Sequence, residues 1–325
     1  MEVMMRQTAK CTLLMAALLL LSGCGSAPAV NQTEEDKPVS VPAPLTISGR
    51  PEETNPSVRP AHTYRMTGVH AVNGRQGVAC DGTYYYISGS TLLEKYDKYW
   101  NLISSNDEPF ADFETPVNHL GDIDVYDGEI YAGAENFIDG EADSLQIAVY
   151  DAETLKLKHT FPFDPESGQN ECSGIAADPA NNSIWMCSWA DGESGRYLYR
   201  YDMDTGAYME KLHLQCPPQW IQGIAAYDGS IYITADDGTA DLGEPDHVYR
   251  CTYTPGISVL TVTLERTLDD VALMGEIEGI TFNVQSHEML VSYNRGSQIV
   301  LGMVKGFYDG YTEEIHEIYS FEIDE

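Results

Sequence analysis

One short pattern recurs five times along the 325 residues and leaves few folds open. Its plainest copy is Gln222-Gly223-Ile224-Ala225-Ala226-Tyr227-Asp228-Gly229-Ser230-Ile231-Tyr232-Ile233, which reads as a strand, a tight Asp-Gly turn and a second strand. Other copies open at Gln76-Gly77-Val78, Gly121-Asp122-Ile123, Ser173-Gly174-Ile175 and Glu278-Gly279-Ile280. The pairs Asp81-Gly82, Asp127-Gly128 and Asp228-Gly229 favour the positive φ angles that a two-residue type I′ hairpin demands.

The anchoring apolar residues Val78, Ile123, Ile175, Ile224 and Ile280 stand 45, 52, 49 and 56 residues apart. A period of about 40–50 residues with several strands per unit predicts an all-β protein, a β-propeller of four-stranded blades. The Gly-Ile-Ala-Ala type is the inner strand, since blades converging on an axis leave room only for small residues. The second strand carries Tyr84, Tyr85, Tyr86, Tyr131, Trp185 and Tyr232, and a third repeats at residues 93–97, 147–151, 198–202, 248–251 and 318–322. Fourth strands are expected at places such as 208–214 and 260–264. The fifth unit runs out at its third strand, whereas residues 64–69 precede the first unit without a partner. The N-terminal strand is therefore expected to complete the last blade and close the ring, removing an exposed edge. Five blades result, or six if the interval from Ile224 to Ile280 holds two units.

The N-terminus is of another kind. Arg6 and Lys10, an apolar run over residues 12–21 and then Leu21-Ser22-Gly23-Cys24 form an export signal too short to span a bilayer as a helix. The box resembles that of bacterial lipoproteins, which implies cleavage before Cys24 and its acylation, palmitate included. Residues 24–62 hold seven prolines among Ser, Thr, Asn and Glu, a composition that cannot offset the entropy of ordering; it reads as a tether. The expected plan is a signal peptide at 1–23, a lipidated tether at 24–62 and a propeller at 63–325. The protein would then be extracytoplasmic, held at the outer face of the cytoplasmic membrane or in an outer membrane. With 51 acidic against 18 basic residues and a formal charge of −33, the chain has no basic stripe to gather phosphates, which argues against nucleic acid. A monomer is expected. Cys80, Cys187 and Cys251 sit in apolar runs as small hydrophobes; Cys172 and Cys216, in connections, leave a disulfide open.

The repeated strand–turn–strand with Tyr-Asp third strands resembles the bacterial β-propeller superfamily that contains the YVTN/YncE, SMP-30-type lactonase and plant-type glutaminyl cyclase families. The resemblance spans the whole body but rests on structural motifs common to many functions. The lactonase branch implies an axial divalent ion, but none of its ligand motifs is matched residue by residue here.

In such a ring the connections entering each inner strand and those leaving each second strand share one face, where long loops gather. The entry residues are Gln76, Gly121, Ser173, Gln222 and Glu278. Asp122 stands where the other units have glycine, and Glu278 is the one acid among the entries. With Glu135, Asn136 and Asn294 from the loops, they make a candidate oxygen cage. The metal candidates are Asp122, Glu135, Glu278 and Asn294, donors that suit Ca²⁺ or Mg²⁺ rather than zinc. Trp189, Arg295 and His316 complete the candidate ligand-binding set; Trp185, at strand spacing, reads as packing. No nucleophile elbow, His-Glu-x-x-His or phosphate loop occurs. The expected function is binding of a ligand or a protein, peptide or glycan partner on the long-loop face. The alternatives are a divalent-metal-assisted hydrolase, lactonase or cyclotransferase on the axis, and a scaffold for envelope assembly.

Overall fold

A computed structural model describes residues 59–324 apart from 191. The signal, Cys24 and nearly all of the tether therefore lie outside the described residues. The body is a β-propeller of five blades. Blade 1 is Val78–Cys80, Tyr85–Gly89, Leu92–Tyr96 and Leu102–Asn106 from the axis outward. Blade 2 is His119–Tyr126, Glu129–Ile138, Glu141–Asp151 and Leu157–Pro162; blade 3 is Ile175–Asp178, Ser183–Met186, Tyr197–Asp202 and Tyr208–Leu214. Blade 4 is Ile221–Tyr227, Ser230–Ala235, His247–Cys251 and Thr263–Thr267. Blade 5 is Gly275–Asn283, Glu288–Arg295 and Ile315–Asp324, with Thr63–Ala71 as its outermost strand.

The ring closes as expected. Thr63–Ala71 runs antiparallel to Ile315–Asp324, Thr63 opposite Asp324 and Ala71 opposite Glu317. Glu265, buried in blade 4, fixes the approach by accepting hydrogen bonds from the amides of Ala61 and His62, the Tyr64 hydroxyl and Arg250. An aromatic stack of His70, Trp100 and Tyr85 then ties the added strand to blade 1, with centroids 4.5 and 4.1 Å apart.

The long fourth interval does not hide a sixth blade. Its surplus residues make an excursion in which Val259–Leu260 pairs in parallel with blade 3, His213 opposite Val259. The fourth strand of blade 4 is therefore Thr263–Thr267, later than residues 260–264. The turns need one correction too. Asp127-Gly128 and Asp228-Gly229 have both φ angles positive, as a type I′ turn requires. At Asp81-Gly82 only the glycine does, and the Asp81 carboxylate instead accepts the amides of Thr83 and Tyr84.

Each interface between blades has its own apolar core. The interface of blades 1 and 2 gathers Tyr86, Leu93, Leu120 and Ile130; that of blades 2 and 3 gathers Tyr131, Ile147, Ile184 and Tyr199. The second-strand aromatics fill these layers, and Trp185 is fully buried with its indole N–H donated to Asp178. All five described cysteines are free, with Cys216 exposed and Cys172 buried.

Candidate functional site

Near the axis the blades are joined by hydrogen bonds at all five interfaces. Ser88 Oγ donates to the Gly121 carbonyl, Asp122 N to Ser173 O, Ser173 Oγ to Ile221 O, Thr234 Oγ1 to Glu278 O, and Gly279 N to Gln76 O. In blades 2, 4 and 5 the entry residues sit at register shifts, between Leu120 and Ile123, Ile221 and Gly223, and Ile277 and Ile280. Such bulges bend a strand and re-aim its side chains. Here they turn the entries toward the axis.

Asp122 closes the channel. Its carboxylate accepts the amides of Ile123 at 2.8 Å and Ile224 at 3.2 Å, and burial pushes its carboxyl well above the usual range. A Cβ on Gly77 would stand 2.6 Å from Asp122 Oδ1, and one on Gly223 2.8 Å from Oδ2. Side chains are excluded at those glycines because the Asp122 carboxylate takes the space. The neighbouring acid Asp124 is bound in the same manner, accepting the amides of Val125 and Ala177.

Above this plug lies a pocket with about 390 Å³ of empty space, open to solvent. Four entry residues, Gln76, Ser173, Gln222 and Glu278, contribute to its lining, joined by Arg75, His119, Glu171 and Glu276. Trp189 and Phe137 supply an aromatic side, and Trp220 packs on Trp189 at 5.1 Å. A hairpin from blade 5, Ser297–Val300 with Met303–Phe307, crosses toward blade 2. Its Gly302 lines the pocket against Phe137, and Lys305 lies 3.7 Å from Asp139.

The electrostatics are lopsided. Arg75 points one nitrogen at Glu314, 3.2 Å away, and another at Glu276 at 3.9 Å. Gln222 Nε2 donates to Glu276 Oε1, and Glu171 Oε2 accepts the Trp189 amide. Glu278 is 4% exposed, and its carboxyl accepts no hydrogen bond among the described residues. Desolvation, then the charges of Glu276 and Asp236, hold that carboxyl well above the usual range, with Arg75 opposing them. Burial likewise raises Glu171, with Glu135 adding to it, and lowers His119 to about 4.

Of the predicted site residues, the structure brings Gln76, Trp189, Gln222 and Glu278 together in this pocket. Asp122 lies in the plug. Glu135 is buried behind the wall, accepting the Cys172 amide at 2.9 Å with His119 Nδ1 at 3.3 Å. Asn136 faces Asp143, while Asn294 is buried beside Ser297 and Glu314. Arg295 pairs with Glu317 at the root of the hairpin, and His316 Nδ1 meets the Asn73 carbonyl. The metal quartet does not fit its task. Among the described residues no three His, Cys, Asp or Glu converge on one point, and both oxygens of Asp122 already accept amides.

Sequence reasoning passed over Arg75, Glu171, Glu276, Phe137 and Trp220. A signal was present. Four residues ahead of each anchoring apolar residue stand Gly74, His119, Glu171, Trp220 and Glu276, so that apart from the glycine this second register marks the mouth as well as the entries do.

No family profile matches the sequence, and no curated protein is similar to it. Among solved structures the chain is similar to the glutaminyl cyclase of Myxococcus xanthus, with a TM-score of 0.52 at 10% identity over 81% of this chain and 97% of that one. The likeness is one of fold. A gluconolactonase from Xanthomonas campestris gives a TM-score of 0.47 at 10% identity, over 83% and 92%. The five-bladed body is the β-propeller fold expected from its repeats.

Proposed function

We propose that this chain is a lipid-anchored, extracytoplasmic propeller that binds a small ligand in the pocket at the axis mouth, on its long-loop face. The observation that carries the reading is convergence. Entry residues from four blades and aromatics from blades 2 and 3 meet over a channel that Asp122 shuts. Concave sites with an aromatic side and a few polar groups are where proteins take small molecules. The lipid anchor rests on Leu21-Ser22-Gly23-Cys24. Within the body, Thr63 pairs with Asp324 at the face opposite the mouth.

The test is a thermal-shift screen of the full chain against a small-molecule library, repeated on Gln222→Trp, which fills the pocket. Compounds that raise the Tm of the parent and not of the variant support the reading; compounds that raise both alike place binding elsewhere. Loss of radiolabelled palmitate in Cys24→Ala supports the anchor, and retention of the label sinks it.

A second reading is a cyclotransferase, the activity named for the Myxococcus neighbour. It is favoured by one feature, a buried carboxyl raised well above its usual range (Glu278) beside a second carboxyl (Glu276) that faces the guanidinium, an arrangement suited to proton transfer. Turnover of a glutaminyl peptide that vanishes in Glu278→Gln would favour it, and no turnover by the parent chain would end it.

A further inference from the structure

Four acids and one arginine, Arg75, gather around the mouth. Glu171, Glu276 and Glu278 line the pocket, and Asp236 lines the space continuous with it beyond Glu276. The arginine pairs with Glu314 at 3.2 Å and lies 3.9 Å from Glu276, while its buried Nε has no partner among the described residues. Glu171 is satisfied by the Trp189 amide and Glu276 by Gln222. Glu278 is the exception: nine-tenths buried, facing the pocket and without a hydrogen-bond donor among the described residues. Its carboxyl oxygens reach the solvent of the pocket, where a ligand's donor can meet them. The opposite wall is Trp189 with Phe137 at 6.3 Å, faces that attract positive charge.

We infer that the pocket takes a compact organic ammonium ion carrying a flat apolar group, its nitrogen donated to the Glu278 carboxylate and its apolar part laid on Trp189 and Phe137. The inference rests on the proposal that the mouth is the ligand site. A bare divalent metal fits less well, since it asks for six or more oxygens and among the described residues no three His, Cys, Asp or Glu are placed to hold one. The charge balance has a consequence. Glu278 meets the ammonium as an anion, so a proton held there in the empty pocket passes to the buffer on binding. The groups that bear on this step are Glu276 and Asp122, Asp236 of blade 4, Arg75 of blade 1, and Glu171 and His119 across the pocket.

The experiment is calorimetric titration of the full chain with benzylammonium, benzyl alcohol and benzoate, in two buffers of different ionisation enthalpy. Benzylammonium is expected to bind best, with release of up to about one proton per site as the apparent heats differ between buffers. Glu278→Gln, which keeps the shape, is expected to weaken benzylammonium by about tenfold or more, as for loss of a charge-assisted hydrogen bond, and to abolish the proton release. Benzyl alcohol or benzoate binding best, with the effect lost in Gln222→Trp, would overturn the cation and leave the pocket standing. If none of the three binds, or if Glu278→Gln folds with an unchanged benzylammonium affinity, the inference fails as well.

Discussion

The Asp122 carboxylate occupies the space that Gly279 leaves: a Cβ on Gly279 would stand 2.1 Å from Asp122 Oδ1. The acid that breaks the repeat in blade 2 and the glycine that keeps it in blade 5 are two halves of one contact. Gly279→Ala is expected to destabilise the body by about 3 kcal/mol, the upper end for overpacking a filled core. Asp122→Gly should recover part of that loss, a coupling of about 1 kcal/mol or more for residues in direct contact. Urea unfolding of the two single variants and the double variant checks this; strict additivity would sever the relationship.

Asp122→Asn asks what the carboxylate does. One amide oxygen keeps one backbone donor, while the new NH₂ faces the N–H of the other. The expected cost is about 1–3 kcal/mol, that of an unsatisfied buried group. An unchanged midpoint would show that the plug contributes nothing.

Ring closure gives a third test. Glu265 → Ala removes the acceptor shared by Ala61, His62, Tyr64 and Arg250, and leaves the guanidinium in a buried place. Breaking a buried pair on one side costs about 3–5 kcal/mol. Limited proteolysis should show the Thr63–Ala71 strand cut first in the variant and protected in the parent.

These contacts mark how far the sequence carried. Period, blade order and the closing strand were legible because strand alternation and Asp-Gly turns repeat whatever the blade surrounds. The departure at Asp122 was legible too, but its role was not. A carboxylate inside a ring of glycines satisfies backbone amides, and the amides come from Ile123 and the distant Ile224, which no local pattern connects. The mouth was half visible. Gln76, Gln222 and Glu278 stood out beside a glycine, whereas Glu171 and Glu276 lie two residues further out, where the bulges decide which way a side chain turns. The crossing hairpin was unreadable, being an elaboration of one blade with no counterpart in the others.

Stability should fall as the solution turns alkaline. Burial raises Asp124 to about 7 and Glu135 to about 8, and lifts Asp122, Glu171, Asp236 and Glu278 as well. Above about pH 4.5 the unfolded chain has released these protons and the folded chain still holds them. The folded state therefore binds more protons, and its stability drops as pH rises from about 5 toward 8. His119, lowered to about 4, and His70, lowered too, work the other way as pH falls below their ordinary range, but Glu276 and Asp246 are raised as well, making eight acids against two histidines. The Tm measured across that window should decline by several degrees; a rising Tm would contradict the burial of these acids.

Burial and the neighbouring acids raise the Glu278 carboxyl at the axis mouth, and its protonation couples ligand binding to pH. Infrared difference spectra between the parent chain and Glu278→Gln at pH 6 observe it directly. The prediction is a protonated-carboxyl C=O band present in the parent, absent in the variant, and replaced by a carboxylate band when benzylammonium is added. A Glu278 carboxylate band already present at pH 6 in the empty pocket, unmoved by the amine, would contradict it.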